Sequence, residues 1–114
     1  MQIRKTYIAV NPELLYQEIK DFVLKQGVIV DEAKLATYSS PSDSSSFTSR
    51  GTLTFKTQDQ QGQAMRECLR VHLVGSIKDG TKVIFDVDEK LFPQEKLSAL
   101  QDDLDFIFGS YEEK

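Results

Sequence analysis

The stretch RVHLVGSIKDGTKVIFDVD, residues 70–88, decides the fold because it determines whether the residues before it form a helix or a strand. On their own, residues 64–77 fit either structure. Asp79 and Gly80 form a strong hairpin signal, and the residues after them alternate between apolar and polar side chains. A strand needs a pairing partner close by, so we predict a strand at residues 66–77 that forms a hairpin with the next strand.

The register of this hairpin follows from keeping the apolar faces of its two strands together. A plain two-residue turn would place apolar residues of one strand opposite polar residues of the other. A three-residue loop with Gly80 in the left-handed region forms a bulge and removes this mismatch. We therefore predict this loop, with Phe85 opposite Leu73. Two residues further along, Val87 then lies opposite Val71.

The chain before the hairpin predicts a strand and a helix. Residues 2–10 are rich in β-formers and indicate the first strand. The helix starts at Asn11, whose side chain suits the N-cap, and Pro12 fits the first helical position because its missing N–H costs nothing there. Gly27 is placed to end this helix.

Two further strands and a second helix complete the prediction. Residues 28–38 are β-like, and residues 51–57 alternate, with Leu53 and Phe55 directed inward. After Pro93, apolar residues recur at three- and four-residue steps and indicate a long C-terminal helix: Leu97, Leu100, Leu104, Ile107, Phe108 and Tyr111. The order β-α-β-β-β-β-α predicts an α+β fold, in which one antiparallel sheet packs against two helices.

Length and composition bound the class of protein. We expect residues 1–114 to form one domain, with 39% hydrophobic and 28% charged residues, as in ordinary soluble proteins. No apolar run reaches the ~18 residues that span a bilayer, and the N-terminus has no secretory signal pattern. The single cysteine, Cys68, excludes an internal disulfide. We therefore expect a cytoplasmic protein without a membrane span.

The charge is unevenly distributed along the chain. The net charge is −4, but residues 86–114 hold nine acidic residues against three lysines. The basic stripe that the rest of the chain offers is thin and consists of Arg66, Arg70, Lys78 and Lys82. Because an acidic surface repels phosphate backbones, we expect no nucleic-acid partner.

No pattern in the sequence predicts a catalytic or metal site. Cys68 and His72 would be neighbours on a helix, but on the predicted strand they lie roughly 13 Å apart, outside hydrogen-bond reach. One cysteine and one histidine do not supply the four ligands of zinc, and the acidic stretches lack the spacing of a calcium loop. We therefore predict a non-enzymatic protein without a cofactor. An enzyme would require the fold to gather Tyr7, Tyr38, Glu67, Arg70 and His72.

Two stretches carry a family resemblance. KTYIAVNPELLYQEIKDF, residues 5–22, reads as a strand followed by a helix that is entered through a polar-Pro-acidic turn. GTKVIFDVDEKLFPQEKLSALQDDLDFIFGSY, residues 80–111, reads as a last strand that leads into a closing helix. Together they resemble the START and pollen-allergen helix-grip superfamily of lipid and apolar-ligand binders. That family has more strands and a second short helix, where this chain continues directly into GVIV.

The resemblance implies a cavity between the sheet and the C-terminal helix that binds an apolar small molecule or lipid. Six residues would line it: Phe55, Leu69, Val71, Phe85, Leu104 and Phe108. The same side chains also suit a filled core, since a domain of this size has few apolar residues to spare. The ligand cavity and the packed core are both open at this point.

The alternative function is protein–protein interaction or self-association through an exposed face or edge of the sheet. Val74 and Ile84 point outward in the predicted strands. Two apolar residues on that face indicate a covered surface. A homodimer through the outer sheet face is therefore the second hypothesis.

The serine-rich stretch YSSPSDSSSFTSRG, residues 38–51, predicts a surface loop. Pro41 and Asp43 within it favour turns. Phe47 is a lone aromatic residue among the serines, and we expect it to anchor the loop.

Overall fold

The computed structural model describes residues 1–39, 47–59 and 61–113. It confirms the predicted order of elements and the α+β class. The strands are β1 (Gln2–Tyr7), β2 (Ile29–Ser39), β3 (Phe47–Gln58), β4 (Met65–Ser76) and β5 (Gly80–Val87). The helices are α1 (Pro12–Leu24) and α2 (Gln94–Phe108), and a short 3-10 helix follows at Gly109–Tyr111.

The five strands form one antiparallel sheet in the order β1-β5-β4-β3-β2. β1 and β2 are therefore the two edges of the sheet, although only α1 separates them in the sequence. Both helices pack on the same face, where the buried residues form one cluster. α1 lies over β2, β3 and β4, whereas α2 lies against β1 and β5. Among the described residues no helix covers the opposite face, which we call the outer face.

α1 begins and ends as predicted, but β1 is shorter than predicted. The Asn11 Oδ1 accepts a hydrogen bond from the Glu13 N–H at 2.8 Å, which satisfies a donor in the first turn. Gly27 follows the helix with φ +86, a conformation that glycine adopts without strain. β1 stops at Tyr7 rather than at residue 10 because Ala9 has φ +62, which is not an extended conformation.

The β4–β5 hairpin has the predicted type of loop, and β4 is the predicted strand. Residues 77–79 form a three-residue loop, and Gly80 has φ +89 in the left-handed region. The Ser76 Oγ accepts a hydrogen bond from the Asp79 N–H at 2.9 Å, which stabilises the turn. Gly75 lies so close to the next strand that a Cβ there would collide with the Gly80 carbonyl oxygen.

The predicted pairing within this hairpin is wrong by two residues. Phe85 lies opposite Val71 rather than opposite Leu73. Val87 lies opposite Leu69 rather than opposite Val71. Gly80 is itself the first paired residue of β5, so the loop begins one residue earlier than predicted. Alternation of apolar residues does not reveal this, because a shift of two residues leaves every side chain on its own face.

β3 includes part of the serine-rich stretch that was predicted to be a loop. It starts at Phe47, which pairs with Ser39 of β2, so residues 47–50 are strand. The side chain of Phe47 is 56% exposed, and its role as an anchor of the loop stays a prediction. The rest of the predicted loop, residues 40–46, lies outside the described residues.

α2 buries a narrower stripe than its periodicity suggests. Its buried residues are Leu97, Leu100, Leu104 and Phe108. Ile107 and Tyr111 share the spacing but are exposed, since Ile107 lies about 100° around the helix from Phe108 and Tyr111 follows the end of α2. α1 has 13 residues and α2 has 15, and within the described residues no helix is long and apolar enough to cross a membrane.

Candidate functional site

The six side chains predicted to line a ligand cavity lie together on the helix-covered face. All six belong to the buried core cluster, and none is more than 3% exposed. They are Phe55 on β3, Leu69 and Val71 on β4, Phe85 on β5, and Leu104 and Phe108 on α2. Their convergence fits both the ligand cavity and the packed core. The size of the space between these side chains distinguishes the two hypotheses.

The space between α2 and the sheet is almost filled. The gap that remains there is too small for a water molecule. It is lined by Ile3, Lys5, Phe85, Leu97, Leu100, Gln101 and Leu104. Between the described residues, the geometry therefore supports a packed core at this place, and an apolar ligand would require α2 to move away from the sheet.

Cys68 and His72 lie on opposite faces of β4. A bulge at Cys68 turns its side chain into the core, where the thiol donates a hydrogen bond to the Phe55 carbonyl oxygen at 3.4 Å. Burial raises the pKa of the Cys68 thiol to about 11, so little nucleophilic thiolate forms at neutral pH. His72 lies on the outer face, with Nδ1 3.3 Å from the Thr52 hydroxyl. The two residues do not form a nucleophile and base.

The residues of the enzyme alternative are not gathered at one place. Tyr7 lies on the helix-covered face, whereas Tyr38, Arg70 and His72 lie on the outer face. Arg70 donates a hydrogen bond to Glu67 at 2.9 Å in an exposed ion pair. In the part of the chain that the structure describes, no group of three or more His, Cys, Asp or Glu side chains is arranged to hold a metal ion.

The outer face surrounds its two apolar residues with charge. Ile84 lies beside Arg4, and Val74 lies between Lys82 and Arg50 on the neighbouring strands. Among the described residues of this face basic residues outnumber acidic ones: Arg4, Lys34, Arg50, Lys56, Arg70 and Lys82 against Asp31, Glu32, Glu67 and Asp86. Two such faces in contact would bring like charges together, which counts against a homodimer through Val74 and Ile84.

The β1 edge of the sheet is partly closed by the chain's own C-terminal residues. The Ile8 N–H donates a hydrogen bond to the Tyr111 carbonyl oxygen at 2.7 Å, and the Glu113 N–H donates one to the Thr6 carbonyl oxygen at 2.8 Å. Glu112 lies between them and pairs with β1 as a short bridge. An incoming strand would have to displace these residues.

The β2 edge is long and exposed. Nine of its 11 residues are exposed, and only Val30 and Leu35 are half-buried. Among the described residues β2 pairs with β3 alone, so its other side presents unpaired backbone groups. A bulge at Asp31 interrupts the pairing near one end, and residues 32–39 pair regularly with β3. An exposed sheet edge was one of the interaction surfaces expected from the sequence, and the structure shows that β2 forms it.

The charges around β2 are nearly balanced. The Lys34 Nζ lies 3.8 Å from the Glu32 carboxylate, and the Lys56 Nζ lies 3.1 Å from the Asp31 carboxylate. The acidic surplus of residues 86–113 belongs to α2 and the segments beside it, which lie near the β1 edge of the sheet, away from β2. Electrostatic repulsion therefore opposes association at β2 less than it does at α2.

An open groove lies between the N-terminus of α1 and the ends of the central strands. Its volume is about 550 Å³, and it is lined by Asn11, Pro12, Glu13, Thr37, Phe47, Ser49, Ser76, Ile77 and Lys78. Within it the Thr37 hydroxyl lies 3.0 Å from the Ser49 hydroxyl and 3.4 Å from the Glu13 carboxylate. These three polar groups satisfy one another and are not free to select a ligand.

Comparisons with protein-family models, with curated proteins and with solved structures found no match. The resemblance to the helix-grip superfamily therefore stays a prediction.

Proposed function

We propose that this chain is a non-catalytic interaction domain that binds a protein partner by adding the partner's strand to the β2 edge. The observation that carries the proposal is the contrast between the two edges of the sheet. The C-terminal residues pair with β1, whereas β2 offers a longer and open backbone. Strand addition uses the N–H and C=O groups that an edge strand leaves unpaired.

β2 has the dimensions that strand addition requires. Its 11 residues extend over about 36 Å at the usual rise of a strand, against a typical strand length of five to six residues. Since nine of these residues are exposed, α1 does not cover the edge, and a partner strand reaches the backbone without displacing a described helix. Val30 and Leu35 are packed against the core and would extend its apolar surface towards the partner.

Edge strands are commonly protected by charges and bulges, and β2 carries both devices. Neither closes the edge. The charge of Lys34 is balanced by Glu32 on the same strand, and the bulge at Asp31 leaves residues 32–39 free of irregularity. The protection therefore limits which strands pair with β2 and does not prevent pairing.

The test uses a displayed library of random 12-residue peptides selected on the purified protein. We expect enrichment of sequences that alternate β-branched or aromatic residues with polar ones, since these fit a pleated strand. Bound peptides should slow hydrogen exchange at the backbone amides of residues 32–39. In a bound peptide strand, every second backbone N–H points towards β2. N-methylation of these amides should abolish binding, whereas N-methylation of the amides between them should leave binding intact.

Two substitutions serve as controls for rival surfaces. Ile84→Asp changes the outer face, and Phe106→Ser removes an aromatic side chain that is 87% exposed on α2. Both variants should bind the selected peptides as the wild type does. Selected peptides that protect the outer face or α2 instead of β2 would contradict the proposal.

The second candidate function is binding of an apolar small molecule between the sheet and α2. The convergence of the six predicted side chains between the sheet and α2 supports it, but α2 would have to move away from the sheet, because the gap beside Phe85 and Leu104 is too small for water. Native mass spectrometry followed by denaturation tests this function. An added mass that disappears on denaturation would support it, and an unmodified native mass after incubation with fatty acids and sterols would count against it.

A further inference from the structure

We infer that the partner strand is β2 of a second copy of this chain, paired antiparallel about a two-fold axis at Leu35. This inference rests on the proposed function and names its partner. It requires that β2 match itself in backbone regularity, in side-chain pattern and in charge. The described residues provide all three.

The backbone requirement concerns the regular part of β2. Residues 32–39 lie beyond the bulge at Asp31, and the centre of this regular segment is close to Leu35. An antiparallel pair centred there places residue 32 opposite residue 38 of the second copy, so the regular parts of both strands overlap almost completely. An axis nearer to Asp31 would set one copy's bulge against the other's regular strand and break the ladder.

The side chains match on the helix-covered face. With the axis at Leu35, the Leu35 side chains of the two copies meet each other. Ala33 of each copy then lies opposite Thr37 of the other, and these small side chains leave room for the approach. Leu35 already packs against the core, so the pairing would extend each core towards the other across the axis.

The side chains also match on the outer face. Lys34 of each copy lies opposite Ala36 of the other, and Glu32 lies opposite Tyr38. No two like charges lie directly opposite each other, which is the arrangement that destabilises antiparallel pairs. Lys34 of each copy keeps its ion pair with Glu32 of the same copy at 3.8 Å, so pairing of the two strands does not separate these opposite charges.

The arrangement that results is a continuous ten-stranded sheet with both helix layers on one side. Because α1 leaves most of β2 exposed, the edge of each copy is open to the other. The acidic α2 helices lie at the two far ends, where their repulsion is weakest. A two-fold axis makes the contact closed, so it yields dimers rather than filaments.

The test is a mixed disulfide between two variants that leave Leu35 intact. Ala33→Cys and Thr37→Cys replace exposed residues, and each is prepared with a tag of different mass. The native Cys68 is 1% exposed and does not compete. In the inferred register residue 33 lies opposite residue 37 of the other copy, within the Cα separation that a disulfide spans, whereas residue 33 lies about 13 Å from residue 33.

The mixture should form a disulfide-linked heterodimer under mild oxidation at least about tenfold faster than either variant alone. Equal rates in the mixture and in the single variants would mean random collision or a different register, and would overturn the inference. A wild-type chain that sediments as a monomer at every accessible concentration would also overturn it, whichever variants fold.

The peptide selection separates failure of this inference from failure of the proposed function. If peptides protect β2 but the two variants do not cross-link, β2 accepts strands and the second copy is not the partner. If neither peptides nor a second copy engage β2, both proposals are wrong.

Discussion

The Lys5 Nζ donates a hydrogen bond to the Glu112 Oε1 at 3.2 Å, and this ion pair holds the end of the described chain against β1. Both side chains are largely buried, with 13% and 18% of their surface exposed. The pair stands beside the backbone bonds that close the β1 edge. The same sheet therefore has one edge that the chain occupies itself and one that it leaves open.

Glu112→Gln should lower the free energy of unfolding by about 1–2 kcal/mol, because it leaves the largely buried Lys5 ammonium with only the more distant Asp105 carboxylate, at 4.0 Å, as a charged partner. Urea denaturation measures the change. Glu113→Gln is the matched control, since Glu113 is exposed and contributes its backbone N–H rather than its carboxylate. Equal unfolding midpoints for the two variants would show that the ion pair does not hold the C-terminus.

Leu104→Trp tests whether the space between α2 and the sheet is filled. The gap beside Leu104 has no room for a water molecule, so the larger side chain should overpack the core and cost about 1–3 kcal/mol. Thermal unfolding measures the loss, and Leu14→Trp on the exposed side of α1 is the control. A Leu104→Trp variant as stable as the wild type would reveal space for a ligand and would revive the ligand hypothesis.

The buried thiol of Cys68 should make stability fall between pH 9 and pH 11. Burial raises its pKa from 9 to about 11, so the folded chain keeps a proton that the unfolded chain releases from about pH 9 upwards. The contribution is complete below pH 9 and is lost as the pH approaches 11.

Urea midpoints measured across this interval should fall more steeply for the wild type than for Cys68→Ala. Burial also raises the pKa of Tyr7, with Glu112 and Asp105 adding to the effect, but that residue is present in both proteins and does not alter the comparison. Parallel pH profiles for the two proteins would show that the thiol does not titrate differently in the folded state.

Gly75→Ala should destabilise the β4–β5 hairpin, because a Cβ at residue 75 collides with backbone atoms of Gly80 and Thr81 that cannot move aside. We expect a cost of about 1–3 kcal/mol in the free energy of unfolding. Gly109→Ala is the matched control, since a Cβ there meets only the Asp105 side chain at 3.8 Å, an ordinary contact. Similar stabilities for both variants would mean that the hairpin accommodates the methyl group by a backbone shift.

The local elements of the fold could be predicted from the sequence because each has a local physical cause. Asn11 caps α1 by bonding to a neighbouring N–H, and Gly80 takes a conformation that few other residues tolerate. The alternation of apolar residues in β4 and β5 assigned their faces correctly. These signals act over a few residues, and they were sufficient for the class and the order of the elements.

The exact pairing of the strands could not be predicted in the same way. The partner predicted for Phe85 was wrong by two residues, because the predicted and the observed registers bury the same side chains. The six predicted cavity residues converge as expected, but periodicity does not report whether the space between them is empty. Only the packing of α2 against the sheet shows that the gap beside Leu104 is too small for water.

The sequence by itself determined the elements, their order and the inward-facing side chains of β4 and β5, because caps, turns and alternation are properties of neighbouring residues. Only the tertiary structure decided which strands became edges and which edge stayed open. Residues 111–113 pair with β1 across a separation of about a hundred residues, whereas β2 has a partner on one side alone. Such contacts join residues that are far apart in the sequence, so they cannot be predicted from the pattern of neighbouring residues.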